Sequence, residues 1–357
     1  MNDTLLDTPG TVRDENKLDA EVLRPYLASE LPNLPDGPLV IRQFAGGASN
    51  LTYQIDVGGR SMILRRPPAG TKPKSGHDMH REYRVLQALH PHFPCPRPLA
   101  YCEDASLIGA PFYVMEKVAG IILRRDIPNG LEYDPTRARQ LCTNLLDELI
   151  KLHNLDYQTI GLGDLGHPQG YVARQVSGWC ERFGKAWTDD VPKCESLMAW
   201  LREHQPADDS RPGIIHNDYR FDNAVLDPTD QLTVMAVLDW EMCTIGDPLM
   251  DLGGTLAYWV QADDPKQMLT LRMQPSHLPG MLSREEIVQY YGEKTGRTIG
   301  NFDFYYVFGL FRLAVIAQQI YYRWKLGQTR NPRFQAFGLF VGALAAVSEQ
   351  IIQKSKL

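Results

Sequence analysis

The sequence predicts an α+β fold in two lobes, a small antiparallel sheet with one inserted helix followed by a mainly helical lobe. Three observations carry this expectation. The 357 residues exceed what one hydrophobic core usually spans. Short alternating apolar runs, punctuated by Gly and Pro, fill residues 38–118. After Gly120 the apolar period lengthens to that of amphipathic helices. The chain thus divides into an N-terminal extension and helix (1–37), a sheet lobe (38–118) and a helical lobe (119–357).

The elements follow in order. The first fifteen or so residues are polar and expected to be disordered. Asp19 to Leu31 places Val22, Leu23, Tyr26 and Leu27 at helical spacing. Strands are expected at Ile41 to Phe44, Leu51 to Val57 and Ser61 to Leu64, with Gly58-Gly59 turning a hairpin. Asp78 to Leu89 reads as a helix. Pro91, Pro94, Pro96 and Pro98 break the chain before strands at Leu99 to Glu103 and Pro111 to Glu116. Asp134-Pro135 is an N-cap and first-turn pair that opens a helix through Leu152. Helices are also expected at Tyr171 to Trp187, Lys193 to His204, Pro248 to Val260, Arg284 to Thr295, Phe304 to Leu326 and Arg333 to Lys354, with strands near residues 213–240.

Composition excludes several classes. With 43% hydrophobic and 22% charged residues the chain reads as globular. A net charge of −6 and no basic block argue against a nucleic-acid partner. Six scattered cysteines without a C-x-x-C pair read as buried thiols of a reducing, cytoplasmic setting. The apolar segments Phe304 to Tyr322 and Phe337 to Ile352 read as buried core helices rather than membrane spans.

Chemistry concentrates in His216-Asn217-Asp218-Tyr219-Arg220-Phe221-Asp222-Asn223 and in Asp239, which ends the next apolar run. This H-x-D-x-x-x-x-N loop with a following strand-borne Asp has the layout used to transfer phosphoryl groups. Asp218 suits a base for a hydroxyl, and Asn223 and Asp239 offer the hard oxygens that Mg²⁺ prefers. His216 is expected to hold the loop backbone. A polar turn between strands is the alternative for the loop alone, and Asp239 argues against it.

On these residues the chain resembles the aminoglycoside phosphotransferase and choline kinase family, distant relatives of protein kinases, over residues 38 to 340. Leu238-Asp239-Trp240-Glu241 with Gly246-Asp247-Pro248 and Asp251-Leu252 resembles the family's metal-binding segment. The resemblance implies a protein-kinase-like fold, Mg²⁺ and ATP. It assigns Gly47, Ser49 and Asn50 to a phosphate-covering loop, and Arg65, paired with Glu82, to the place of the phosphate-binding lysine. Met115, the Glu116 carbonyl and the Val118 N–H are implied to hold adenine. Asp247 and Asp251 are expected to be structural. Arg174, Arg220 and Glu241 are assigned to the acceptor side, while core packing is the expected role of Trp179 and Trp187. The run Leu64-Arg65-Arg66-Pro67-Pro68 resembles the branch fused to, or encoded with, acyl-CoA dehydrogenases, where arginine is normal.

That branch implies a small hydroxylated acceptor, a hydroxy acid or hydroxyacyl-CoA, and a functional link to an acyl-CoA dehydrogenase. An aminoglycoside acceptor would call for an acidic cluster, and the helices beyond Pro265 show none that is dense. Two other classes stay open: a nucleotide-binding pseudokinase, motivated by Arg65, and a phosphohydrolase using His216, Asp218 and Asp239 as metal ligands.

Overall fold

The computed structural model describes residues 7–44, 50–68, 77–208, 211–329 and 331–357. It forms two compact units that exchange chain segments. The first holds the described residues up to Ile122 with Ile160–Leu162 and Asp222–Cys243. The second holds Leu123–Thr159, Gly163–Phe221 and Thr244–Leu357.

The first unit is built on an antiparallel sheet of β1 (Leu39–Gln43), β2 (Leu51–Val57), β3 (Arg60–Arg66), β4 (Pro98–Cys102) and β5 (Phe112–Glu116), in the order β1-β2-β3-β5-β4. Gly58 and Gly59 join β2 to β3 with φ of +53° and +87°, which a side-chain-free residue adopts without strain. Helix α1 (Ala20–Glu30) is capped by the Asp19 carboxylate, which accepts the Glu21 N–H at 2.9 Å. Its Leu23 and Leu27 join Tyr53, Ile55, Leu64, Phe112 and Val114 in one apolar core. Helix α2 (Met79–Leu89), capped by Asp78, buries Val85, Leu86 and Leu89.

The expected disorder of the first residues is corrected for residues 7 onward. Gly10 pairs with Gln43 through two backbone hydrogen bonds of 2.9 and 3.0 Å, and Asp14–Asn16 form a 3-10 turn. The Gln43 side chain accepts the Arg13 N–H at 3.1 Å. An exposed sheet edge is a template for mispairing, and this bridge occupies part of it. Strands β7 (Ala224–Leu226) and β8 (Val234–Val237) complete the unit as a ladder, and Ile121 bridges Leu226.

The second unit is helical: α3 (Pro135–Asn154), α4 (Tyr171–Ala186), α5 (Glu195–Glu203), α6 (Pro248–Ala257), α7 (Lys266–Leu271), α8 (Arg284–Thr295), α9 (Asp303–Lys325) and α10 (Phe337–Lys354). A ladder of β6 (Gly213–Ile215) and β9 (Thr244–Gly246) runs through it. Helix α7 and strand β9 fall outside the sequence expectation, since six and three residues are too short to show a period. Residues 332–336 are 3-10 rather than α, with Asn331 as the cap.

Helix α9 is a core helix, as expected. Helix α10 is not wholly so: Phe340, Val341, Leu344, Ala345 and Ser348 are buried, while Leu339 is 82% exposed. The stretch Pro332–Lys354 is long and apolar enough to cross a membrane by length and composition, and α10 packs one face on α9. All six cysteines are free and buried, and burial pushes the Cys95 and Cys142 thiols up to about 12.

Helices α6 and α9 cross backbone to backbone. A Cβ on Gly253 would overlap the Tyr305 carbonyl, and one on Gly309 would overlap the Gly253 carbonyl. Neither obstacle is a flexible side chain, so the helices would have to separate. Gly309→Ala is therefore expected to destabilise the protein by about 2–3 kcal/mol, the upper range for overpacking. Thermal melts check this; a Tm within ~1 °C of wild type would contradict so close a crossing.

Candidate active site

The second unit contributes the first half of the loop. Strand β6 delivers the chain to His216, which is fully buried. The Asp251 carboxylate on α6 accepts the His216 N–H at 2.7 Å through Oδ2 and the Asn217 N–H at 2.8 Å through Oδ1. It also lies 3.1 Å from Nε2 of His153 on α3, whose Nδ1 is 2.8 Å from the Tyr291 hydroxyl on α8. Burial pushes the Asp251 carboxyl up, but His153 and the His216 N–H more than offset this and hold it below the usual carboxylate range.

Asn217 occupies the left-handed region at φ +66°, a conformation that costs energy for a non-glycine residue. Its surroundings enforce it. Nη2 of Arg312 on α9 donates to its carbonyl at 2.5 Å, and the Tyr171 hydroxyl on α4 donates to its side chain at 3.4 Å. The Asp218 N–H donates to Nδ1 of His216 at 3.2 Å. Nε of Arg220 stands 3.3 Å from the Asp218 carboxylate, with the guanidinium 4.8 Å from the Tyr258 ring. Gln274 accepts the Phe221 N–H at 3.1 Å, and the Tyr219 hydroxyl donates to the Leu145 carbonyl at 2.6 Å. Asp247 caps α6 through the Leu249 N–H.

The first unit gathers the other expected residues. Arg65 on β3 is buried, and its Nη1 lies 2.9 Å from the Glu82 carboxylate on α2. Its Nη2 lies 2.9 Å from Asp239 and 3.7 Å from Glu241. Burial alone would lower the Arg65 pKa, yet Glu82, Tyr113, Asp239 and Glu241 raise it well above its ordinary value. Burial, with the negative Asp239 adding to it, raises Glu82 against the pull of Arg65. Three carboxylates around one guanidinium leave an excess of negative charge.

Asn223 precedes β7, and its carbonyl accepts the Leu238 N–H at 2.8 Å, one rung beyond the Ala224–Val237 pair. That rung brings Asn223 next to the residue before Asp239. Asp239 itself is in the left-handed region, at φ +67° and ψ +64°, with its side chain 35% exposed. Asn50 donates to Glu241 at 2.9 Å and faces Nδ1 of His77 at 3.0 Å. Because its amide N–H is spent on a carboxylate, its oxygen must accept, and His77 carries its proton on Nδ1.

Met115 is buried on β5 between Ile63 and Pro98. Glu116 ends β5, its carboxylate 3.7 Å from Arg97, and Val118 follows, half-buried. Gly47 and Ser49 lie outside the described residues. Arg174 is exposed and donates to the carbonyls of His167 and Gln169, so its fork braces its own loop. Trp179 packs in the core of the second unit, and Trp187 lies partly buried against it.

Sequence reasoning missed His153, Gln274 and Arg312 as supports of the loop. The signal available for Arg312 was its position as a lone charge in the apolar run Phe308 to Ile316.

The model of the phosphotransferase enzyme family matches residues 40–286. Acyl-CoA dehydrogenase family member 10 of Mus musculus is 35% identical over 96% of this chain and 32% of its own length. Family member 11 of Gallus gallus is 36% identical over 94% and 44%. The chain thus spans less than half the length of these curated relatives. A solved structure from Ralstonia eutropha, assigned to the aminoglycoside phosphotransferases, is 32% identical, with a TM-score of 0.81 and coverage of 96% and 100%. An aminoglycoside phosphotransferase in ternary complex with AMP-PNP and hygromycin B shares the fold at 15% identity, with a TM-score of 0.57 and coverage of 93% and 99%. The fold is the kinase-like one of these enzymes.

Asp251→Asn would turn an amide N–H toward donors that now find a carboxylate. It is expected to cost about 3 kcal/mol at pH 7, as for a broken buried charge network. The depressed carboxyl stabilises the fold above its unfolded value of about 3.9, and this contribution is lost as pH falls through the lower folded value. Urea titrations should therefore show the gap between variant and wild type closing below about pH 4. A gap constant down to about pH 2 would refute the account.

Proposed function

The chain belongs to the phosphotransferase enzyme family, and from that premise we propose that it moves the γ-phosphoryl group of ATP to the hydroxyl of a small hydroxylated acid or its CoA thioester. The observation that carries this reading is the rigidly held loop that presents Asp218. As the acceptor oxygen bonds to phosphorus, its proton passes to the Asp218 carboxylate, and the bond from phosphorus to the bridging oxygen breaks to release ADP. Arg220 beside Asp218 keeps the carboxylate oriented. His216, through its ring nitrogen on the Asp218 N–H, serves as a positioning residue.

The donor set fits a divalent cation. The Arg65 cluster carries excess negative charge, and Asp239, its most exposed carboxylate, offers a hard oxygen together with Asn223. Among the described residues no three His, Cys, Asp or Glu side chains gather as a metal cluster. Such a site suits Mg²⁺, which takes few protein ligands and fills its shell with water and phosphate. When bound, Mg²⁺ would neutralise phosphate charge. Arg65, held by Glu82, positions the phosphates in place of a lysine. Gly47, Ser49 and Asn50 cover them, and Met115, Glu116 and Val118 hold the base. In this assignment residues 38–118 cover the nucleotide, and 119–357 carry the catalytic loop, the metal ligands and the acceptor-binding helices.

The relatives' names support a functional link with an acyl-CoA dehydrogenase. Six free thiols suit a cytoplasmic setting, and the acceptor is a small molecule rather than nucleic acid or membrane.

Asp218→Asn is expected to lower kcat by about 10³-fold, within the range for a lost general base, while nucleotide affinity holds. Coupled ADP-release assays with a panel of hydroxy acids and thioesters, beside calorimetric nucleotide binding, check this. Undiminished turnover in the variant would remove Asp218 from the reaction. Nucleotide binding without turnover on any hydroxyl would favour a pseudokinase.

A further inference from the structure

We propose that Gln54 and Lys117 are positioning residues of the nucleotide site, and that the bond between them holds the segment after β5 in the register that accepts adenine and rejects guanine. This rests on the phosphotransfer reading and deepens it, from a nucleotide to a choice of base.

The two faces of the first unit's sheet have separate duties. Tyr53, Ile55 and Val57 of β2 join the apolar core that holds α1, together with Met62, Leu64, Phe112 and Val114. Side chains alternate along a strand, so Thr52, Gln54 and Asp56 stand on the opposite face. Directly paired residues of neighbouring strands share a face. One row on that face runs Thr52, Arg65, Tyr113 and contains the cation assigned to the phosphates. The next row runs Gln54, Ile63, Met115 and contains the side chain assigned to the base. Gln54 therefore stands on the nucleotide face, in line with Met115 and one row from Arg65.

Packing against a flat base needs only apolar groups, yet Gln54 is an amide that is 7% exposed. Both ends of the amide are engaged. Nε2 donates to the two oxygens of Asp56 at 2.9 and 3.0 Å, and Oε1 accepts from Nζ of Lys117 at 2.8 Å. A carboxylate only accepts and an ammonium only donates, so the amide has a single orientation. Asp56 is itself held by Nη1 of Arg42 at 2.8 Å and by the Ser61 hydroxyl. The network thus ties Lys117 to the far strands of the sheet.

Lys117 lies between the two backbone groups assigned to the base. The Glu116 N–H donates to the Arg97 carbonyl at 2.8 Å, which anchors the residue before it. The Val118 N–H meets no acceptor among the described residues. The Glu116 carbonyl and the Val118 N–H then offer an acceptor and a donor in a fixed order. Adenine presents an amino donor beside the N1 acceptor, which matches. Guanine presents the O6 acceptor beside the N1–H donor, which is the reverse. To take guanine, the segment must slide by a residue or turn a peptide. Either movement draws the Lys117 ammonium off Gln54 and strands a buried amide oxygen, which is costly.

Calorimetry with Mg-ATP and Mg-GTP tests the choice and needs neither acceptor nor turnover. Wild type is expected to bind ATP at least ~30-fold more tightly than GTP, because the wrong base leaves polar groups unpaired. Lys117→Met and Gln54→Leu should each bring the ratio below ~5-fold, with GTP affinity rising. Damage to the sheet alone would weaken both nucleotides and leave the ratio intact. Lys117→Arg, which keeps a donor for Oε1, should restore most of the preference. In nucleotide-free protein, hydrogen exchange over residues 112–120 is expected to quicken in Lys117→Met and Gln54→Leu but not in Lys117→Arg. If thermal melts show that Gln54→Leu does not fold, Lys117→Met, a change at a half-buried side chain, decides. Equal wild-type affinity for the two nucleotides, a ratio unchanged in Lys117→Met, or unchanged exchange overturns the proposal. ATP preference that depends on Lys117, without phosphorylation of any hydroxyl, would overturn the phosphotransfer reading and leave the tether standing. Turnover with ATP and GTP alike would do the reverse.

Discussion

The buried Asp251 carboxylate is the constraint on which the second unit's chemistry depends. A carboxylate can only accept, and this one is met by the successive N–H groups of His216 and Asn217 and by the His153 ring. Two adjacent N–H groups aimed at one side chain force the chain to turn sharply. The left-handed Asn217 is the result. The strain is affordable only because Arg312 and Tyr171 hold the same residue from two other helices. The loop is thus fixed largely through its backbone, and the Asp218 carboxylate meets Arg220 at 3.3 Å.

The first unit solves a different problem with a different balance. A lysine would place one point charge where Arg65 places a fork, and only a fork reaches Glu82 and Asp239 through separate nitrogens. The arrangement makes the cation a bridge between α2 and the segment after β8. It also spreads one positive charge over three carboxylates, so the site favours further positive charge from outside the protein.

Much of this was legible in the sequence where the determinants are local. Gly58-Gly59, the Asp19, Asp78 and Asp134 caps and the spacing from His216 to Asn223 are read within a few residues, and the structure has turns, caps and loop at those places. The approach of Arg65 to Asp239 spans 174 residues and was legible only through resemblance. His153, Gln274 and Arg312 were not legible as supports of the loop. His153 and Arg312 sit in helices whose apolar pattern declares packing, and Gln274 in a loop before Pro275, so nothing local shows which polar atom meets the loop. The bridge at Gly10 was missed because a single backbone pair leaves no mark on composition.

The contact of Gly253 with Tyr305 and Gly309 has a consequence beyond stability. Helix α6 carries Asp251, which sets the loop, and α9 carries Arg312. With their backbones touching, neither helix can slide or lean without the other. Any shift of α9 would therefore pull on the Asn217 carbonyl that Arg312 holds, and with it on the peptide that leads into Asp218. A change at either glycine would thus reach the loop through both of its helical supports at once.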